Sequence, residues 1–290
     1  MFGGSMKNVI FSIYTPIKDN STRSNTYFSE EESISKAERS HTQFERHIDK
    51  LIAVKQEYAK QCDAEFVLFE DIDQQMFNDQ FDSLNFYKHT MIEKLCGTFD
   101  NILYLDFDVV PMTDISFFDV HDMSIINVHA VNATKDNTWH IDSKQSKKSY
   151  QHIMNTHFDR YHMHCKAKCK LAMLLAHDII TDDYHVANTG IIGGSNKALS
   201  QIQMMDRMQE CIDAVDIAVE EKMFGGEITQ YFFANNETFY SYILDKYKIQ
   251  WNNLQQDWHK MIFTKDENLN NVKLAHVINK DFEHIWSRLD

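Results

Sequence analysis

A short apolar run leads directly into two carboxylates one residue apart, Asn101-Ile102-Leu103-Tyr104-Leu105-Asp106-Phe107-Asp108-Val109-Val110-Pro111, and this limits what the chain can fold into. Ile102 to Leu105 have the unbroken apolar character of a central strand covered on both faces, and Pro111 closes the run because proline cannot donate to a ladder. The two carboxylates then stand at the carboxyl end of that strand. In open α/β sheets this is the ligand-binding edge, and oxygen donors there suit a hard divalent cation that also takes phosphate oxygens. A D-x-D triplet alone is weak, because two solvated aspartates opening a loop have the same spelling. The apolar strand ahead of it favours the site.

Around this strand the chain alternates between the two periodicities. Val9 to Tyr14 reads as a first strand. From Ile34 through Cys62 the apolar positions Ala37, Phe44, Ile48, Leu51, Ile52 and Tyr58 recur at helical spacing and predict an amphipathic helix. Phe66 to Phe69 predict a second strand. Leu84, Tyr87, Met91, Ile92 and Leu95 predict a second helix, ended by Gly97 in the left-handed position that favours glycine. This β-α-β-α-β order implies a mainly parallel sheet with right-handed crossovers and flanking helices. Further on, Ser124 to Val131 is a strand and residues 143–178 form a polar, His-rich helical elaboration. Ser195 then caps a long helix with Ala198, Ile202, Met205, Met208, Ile212 and Val215 on its core face. Gly190, Gly193 and Gly194 fit a tight strand-to-helix turn.

Composition narrows the function classes. At 290 residues and 43% hydrophobic, the chain can bury the core of one α/β domain. Two prolines and eight glycines leave no low-complexity linker, so residues 6–290 read as a single domain, with Met1 to Ser5 a possible expression scar. A net charge of −14 argues against nucleic acid as partner, since a phosphate backbone is bound through clustered Lys and Arg. One nucleoside diphosphate remains compatible with an acidic surface. No stretch approaches the ~20 apolar residues of a membrane span, and no leader precedes the first strand. Five scattered cysteines do not form a disulfide framework, which points to a reducing compartment, the cytoplasm. His162, His164, Cys165 and Cys169 lie too close together, on one predicted helix, for the usual spacing of a zinc site.

The stretch L-Y-L-D-F-D-V resembles the D-x-D strand of glycosyltransferases with the GT-A fold, especially those of the glycogenin and bacterial galactosyltransferase type. Three other segments resemble that family in the same order. These are Asn8-Val9-Ile10-Phe11-Ser12-Ile13-Tyr14-Thr15, Val186-Ala187-Asn188-Thr189-Gly190-Ile191-Ile192 and Ala275-His276-Val277-Ile278. The resemblance implies a GT-A, Rossmann-like fold and a Mn²⁺ or Mg²⁺ ion that binds the diphosphate of a nucleotide-sugar, UDP-sugar by family frequency. The acceptor would be a hydroxyl of a glycan or small molecule. By the same resemblance the metal residues are Asp106, Asp108 and His276, with Asp108 the direct ligand, Asp106 reaching the metal through water or the ribose hydroxyls and His276 completing the set, and Ile13, Tyr14 and Thr15 meet the nucleotide. Asn188 would contact the donor sugar or acceptor. Glu227, after Gly225-Gly226, would be the catalytic or donor-orienting carboxylate. Lys280 would meet a phosphate, although the sequence Asn279-Lys280-Asp281-Phe282 departs from the family's late motif and shifts its register.

Two other functions fit parts of the pattern. Asp106-Phe107-Asp108-Val109 also has the spelling of the haloacid-dehalogenase-type phosphatases, with the first Asp as nucleophile. That motif belongs on a first strand, whereas about a hundred residues precede it here. A non-catalytic nucleotide-sugar binding domain on the same fold is the second alternative.

Overall fold

The structure is a computed structural model that describes residues 6–15, 30–70, 83–132, 162–181, 183–223 and 235–289. Nine strands are assigned among them: β1 (Asn8–Ile13), β2 (Ala64–Phe69), β3 (Asn101–Leu105), β4 (Val109–Pro111), β5 (Ile126–Asn132), β6 (His185–Ser195), β7 (Trp251–Asn253), β8 (Lys260–Ile262) and β9 (Leu274–Val277). The helices are α1 (Glu30–Gln61), α2 (Ser83–Cys96), α3 (Phe117–Val120), α4 (His162–Leu175), α5 (Asn196–Leu199), α6 (Met208–Glu220), α7 (Asn236–Lys246) and α8 (Glu283–Leu289).

Continuous apolar runs place β1 and β3 in the middle of a six-stranded sheet of order β2-β1-β3-β6-β5-β7, as expected for strands covered on both faces. β1 pairs in parallel with β2 and β3, and β5 with β7. β6 runs antiparallel to both β3 and β5, so the sheet is mixed with a parallel-rich half. The expected α/β architecture is thus found in one domain. Helices α2, α4, α6 and α7 cover one face through a core that includes Phe86, Ile92, Leu171, Val186, Val215 and Phe239. A second core around Ile10, Leu103, Phe117 and Trp258 fills the other face. A small sheet, β4-β9-β8, packs beside it, where Leu51, Phe107, Val110, Ala275 and Trp286 form a third cluster.

Four local expectations are corrected. Pro111 does not end the central strand: β3 stops at Leu105, and Val109–Pro111 is a separate strand, antiparallel to β9. Gly97 is not left-handed. Among the described residues no glycine has positive φ; the left-handed residues that follow α1, α6 and α7 are Asp63, Lys222 and Lys248, at φ 48°, 53° and 53°. The helix capped by Ser195 is short, ending at Leu199, and helix resumes only at Met208. Between them Gln203 takes φ 46°, and Arg207 Nη1 donates to the carbonyls of Gln201 and Ile202, holding the irregular turn. Ile202 still faces the core, which is why the helical pattern runs on across the break. Finally, Gly190, Gly193 and Gly194 lie within β6 rather than in a turn. At Gly193 the missing side chain makes room for Phe117, whose Cζ would sit 2.8 Å from an added Cβ. Of the elaboration expected over residues 143–178, the described part is helical over His162–Leu175.

Candidate metal centre

β3 and β9 bring the two parts of the site together. Asp106 follows Leu105 directly, its N–H donating to the Gly190 carbonyl at 2.8 Å. The chain then turns into β4, where Val109 pairs with His276 and the Val277 N–H donates to the Asp108 carbonyl at 3.0 Å. This pairing carries a histidine from far down the sequence to the carboxylates. His276 Nε2 lies 3.4 Å from Asp108 Oδ2 and 3.7 Å from Asp106 Oδ2. One ligand atom from each of the three residues falls within 4.8 Å of the others. Two donors at right angles on an octahedral ion with bonds of ~2.1 Å would be about 3 Å apart, so a small inward movement would bring the set onto one cation. Two carboxylate oxygens and one imidazole suit Mn²⁺ or Mg²⁺ and leave positions open for phosphate oxygens. Among the described residues this is the one cluster of that kind.

Lysines balance both carboxylates. Lys280 Nζ is ion-paired with Asp108 Oδ2. Lys88 Nζ donates to Asp106 Oδ1 at 3.0 Å and to the Thr189 carbonyl at 3.2 Å. The Tyr104 hydroxyl donates to the same Asp106 oxygen at 2.5 Å. Burial alone would raise the Asp108 carboxyl, but Lys280 and His276 outweigh it and hold the group well below the usual carboxylate range. Lys280 has φ 59°, a left-handed backbone that a non-glycine residue adopts only where its surroundings impose it. This turn brings the Lys280 ammonium group to Asp108.

A cavity of about 220 Å³ opens over the carboxylates, and Ile13, Tyr14, Thr15, Asp106, Asp108, His276 and Lys280 all line it. Tyr14, Phe44 and Phe107 supply an aromatic wall, with the Tyr14 ring 4.6 Å from Phe107 and 6.0 Å from Phe44. Asn188 is not on this lining. It lies where β6 bulges away from β5, and its Oδ1 accepts from the Gly190 N–H at 3.0 Å. Glu227 lies outside the described residues, as do the side chains of His162, His164 and Cys165. Cys169 is a buried thiol of the main core.

Around this site, the buried side chains of Lys88, Lys55 and His259 were not picked out from the sequence. Lys55 is fully buried under the turn and donates to the Phe107 carbonyl at 2.9 Å. His259 Nε2 lies 2.9 Å from His276 Nδ1. The two lysines carry a signal that could have found them. Lys88 falls in the apolar stripe of α2, at helical spacing from Leu84, Met91 and Leu95, and Lys55 falls between Leu51 and Tyr58 in that of α1. A charge in an apolar stripe must be paired.

Two predictions follow from this packing. An added Cβ at Gly190 would overlap the His276 ring, lying 2.8 Å from Nδ1. Gly190→Ala is therefore expected to displace His276, costing about 1–3 kcal/mol in urea unfolding and weakening Mn²⁺ binding. The second concerns Lys55. Desolvation pushes its ammonium down to about 7, against the pull of Asp108 and Asp106. The unfolded chain keeps a lysine value of about 10.4, so between these values it binds more protons than the folded chain and stability rises with pH. The penalty is largest below the folded value, on the order of 4 kcal/mol. Lys55→Met should gain stability at pH 6 and lose most of the gain by pH 9.5, in urea titrations against the parent protein.

No protein-family model and no curated protein sequence matches the chain. Among solved structures, similar folds include a glycosyltransferase involved in glycosylation of the major capsid of PBCV-1 (11% identity, 97% of this chain and 99% of that one, TM-score 0.48). Others are mouse xyloside xylosyltransferase 1 (11%, 94% and 98%, TM-score 0.38) and the glycosyltransferase GlyE of Streptococcus pneumoniae TIGR4 (13%, 94% and 55%, TM-score 0.39). These neighbours are glycosyltransferases.

Proposed function

We propose that the protein is a metal-dependent glycosyltransferase of the GT-A type. It moves a hexosyl or pentosyl group from a nucleotide diphosphate-sugar, a UDP-sugar in the first instance, to a hydroxyl of a glycan or small acceptor. The observation that carries this reading is the convergence of Asp106, Asp108 and His276 at the carboxyl edge of a central strand, in a cavity shared with the end of β1. In the transfer, the bond from the anomeric carbon to the diphosphate oxygen breaks. The acceptor oxygen bonds to that carbon and gives up its proton. Mn²⁺ or Mg²⁺, held by the three ligands, would supply Lewis-acid stabilisation of the departing diphosphate.

The chain's own groups do the rest in this reading. Lys280, once a cation takes its place on Asp108, is free to pair with a phosphate oxygen. Lys88 keeps Asp106 oriented. Ile13, Tyr14 and Thr15 bind the nucleotide, with the aromatic wall excluding water. Asn188 contacts donor sugar or acceptor, and Glu227 orients the donor or acts as the catalytic carboxylate. A cytoplasmic enzyme fits the free thiols Cys62, Cys96, Cys169 and Cys211. Among the described residues no helix is long and apolar enough to cross a membrane.

Thermal melting with UDP, GDP, CMP and their sugars, with and without Mn²⁺, tests the reading, because a ligand of the native state raises the melting temperature. A UDP-sugar is expected to stabilise the protein only with the metal, and to be hydrolysed slowly to sugar and diphosphate. Release of phosphate from p-nitrophenyl phosphate, lost in Asp106→Asn, would instead show a phosphatase.

A further inference from the structure

The imidazole that faces the carboxylates is one of three. His276 and His259 are stacked, with ring centres 5.2 Å apart, and His129 lies 5.3 Å from His259. His129 Nδ1 is 3.0 Å from the Leu254 carbonyl, so it holds a proton and donates. Burial keeps His259 neutral, far below an ordinary imidazole, so it has one proton and two places for it. Its Nε2 faces His276 Nδ1 at 2.9 Å, and its Nδ1 has no hydrogen-bond partner among the described residues.

Only one N–H fits between His259 Nε2 and His276 Nδ1. With that proton on His259, a neutral His276 carries its own on Nε2, directed at Asp108 and Asp106. This suits carboxylates without a cation and blocks the lone pair that a cation needs. The Nε2 lone pair is freed, without loss of charge balance, if each ring moves its proton from Nε2 to Nδ1. His276 then donates to His259, and the proton of His259 moves to its Nδ1, the nitrogen without a hydrogen-bond partner among the described residues. Two protons are present before and two after.

Resting on the metal-dependent reading above, we propose that His259 is a positioning residue that exchanges tautomer with His276, so that His276 presents Nε2 to a divalent cation. Partners of ligating histidines fix the tautomer and orientation of the ring, and their loss weakens metal binding by roughly 10–100-fold.

Ring ¹⁵N NMR of the full chain, titrated with diamagnetic Mg²⁺, tests the exchange. Both rings should change from the Nε2–H to the Nδ1–H form at saturation. Mn²⁺ titrations by EPR should show affinity reduced about 10–100-fold in His259→Phe and largely recovered in His259→Gln, whose carbonyl can accept from His276 Nδ1. The cation-free melting temperature should not fall in parallel, as it would for a residue that only packs. Unchanged tautomers at saturating Mg²⁺, or parental Mn²⁺ affinity in His259→Phe, would overturn the proposal and leave the metal site standing. A parent protein that binds neither cation would overturn both.

Discussion

Replacing Asp108 by alanine is expected to remove cation binding and to lower nucleotide-sugar turnover by about 10³-fold, the loss of several kcal/mol of Lewis-acid stabilisation. Two neighbouring groups make this carboxylate central. Its Oδ2 is shared between Lys280 and His276, and both hold it ionised in a buried setting. The fold should survive. The backbone carbonyl of Asp108, which ties β9 to the site, is untouched, and Lys280 is exposed enough to turn into water. Isothermal titration with Mn²⁺ and urea unfolding separate the two effects: loss of the metal signal with a stability change of about 1 kcal/mol is expected. Parental turnover and an unchanged metal response would remove the assignment.

The second large effect is expected at Lys88. Its side chain is only 3% exposed and supports Asp106 from below, while Asp106 itself is 26% exposed. Lys88→Met fits the space but removes the donor to the Thr189 carbonyl, and leaves the Asp106 carboxylate, among the described residues, with the Tyr104 hydroxyl on Oδ1 and His276 Nε2 3.7 Å from Oδ2. Asp106 can take up water, so the stability loss should be about 1–3 kcal/mol rather than the full cost of a stranded buried charge. The orientation of Asp106 is what suffers, and turnover should fall roughly 10–100-fold with a matching loss of metal affinity. Lys88→Arg keeps the charge but not the single-point geometry, and should recover stability more than turnover. Steady-state kinetics at saturating and limiting Mn²⁺ distinguish the variants.

The sequence carried the parts of the site that are written locally. Asp106 and Asp108 follow an apolar strand without interruption, and that context separates them from any other acidic pair. His276 was reachable because β9 is short, apolar and late in the chain. Its approach to Asp108 depends on the pairing of Val109 with His276 across β4, which no local pattern shows. Lys55, Lys88 and His259 were missed because a helical lysine is ordinarily solvated and one histidine among fifteen stands out only through its neighbours. The glycines of β6 were misread for a related reason: in sequence a glycine suggests a turn, but these positions lack a side chain because His276, Phe117 and Leu199 occupy the space. The break after Leu199 was hidden by core positions that keep a helical rhythm across an irregular turn.

Crystals grown with Mn²⁺ and UDP would test the central claim most directly, through the position of the anomalous scattering peak. The account predicts one manganese within about 2.0–2.3 Å of oxygens from Asp106 and Asp108 and of Nε2 of His276, with diphosphate oxygens completing the shell and Lys280 moved off Asp108 onto a phosphate. A peak bound elsewhere, or nucleotide seated in the cavity with Lys280 still on Asp108 and no metal between the carboxylates, would contradict it.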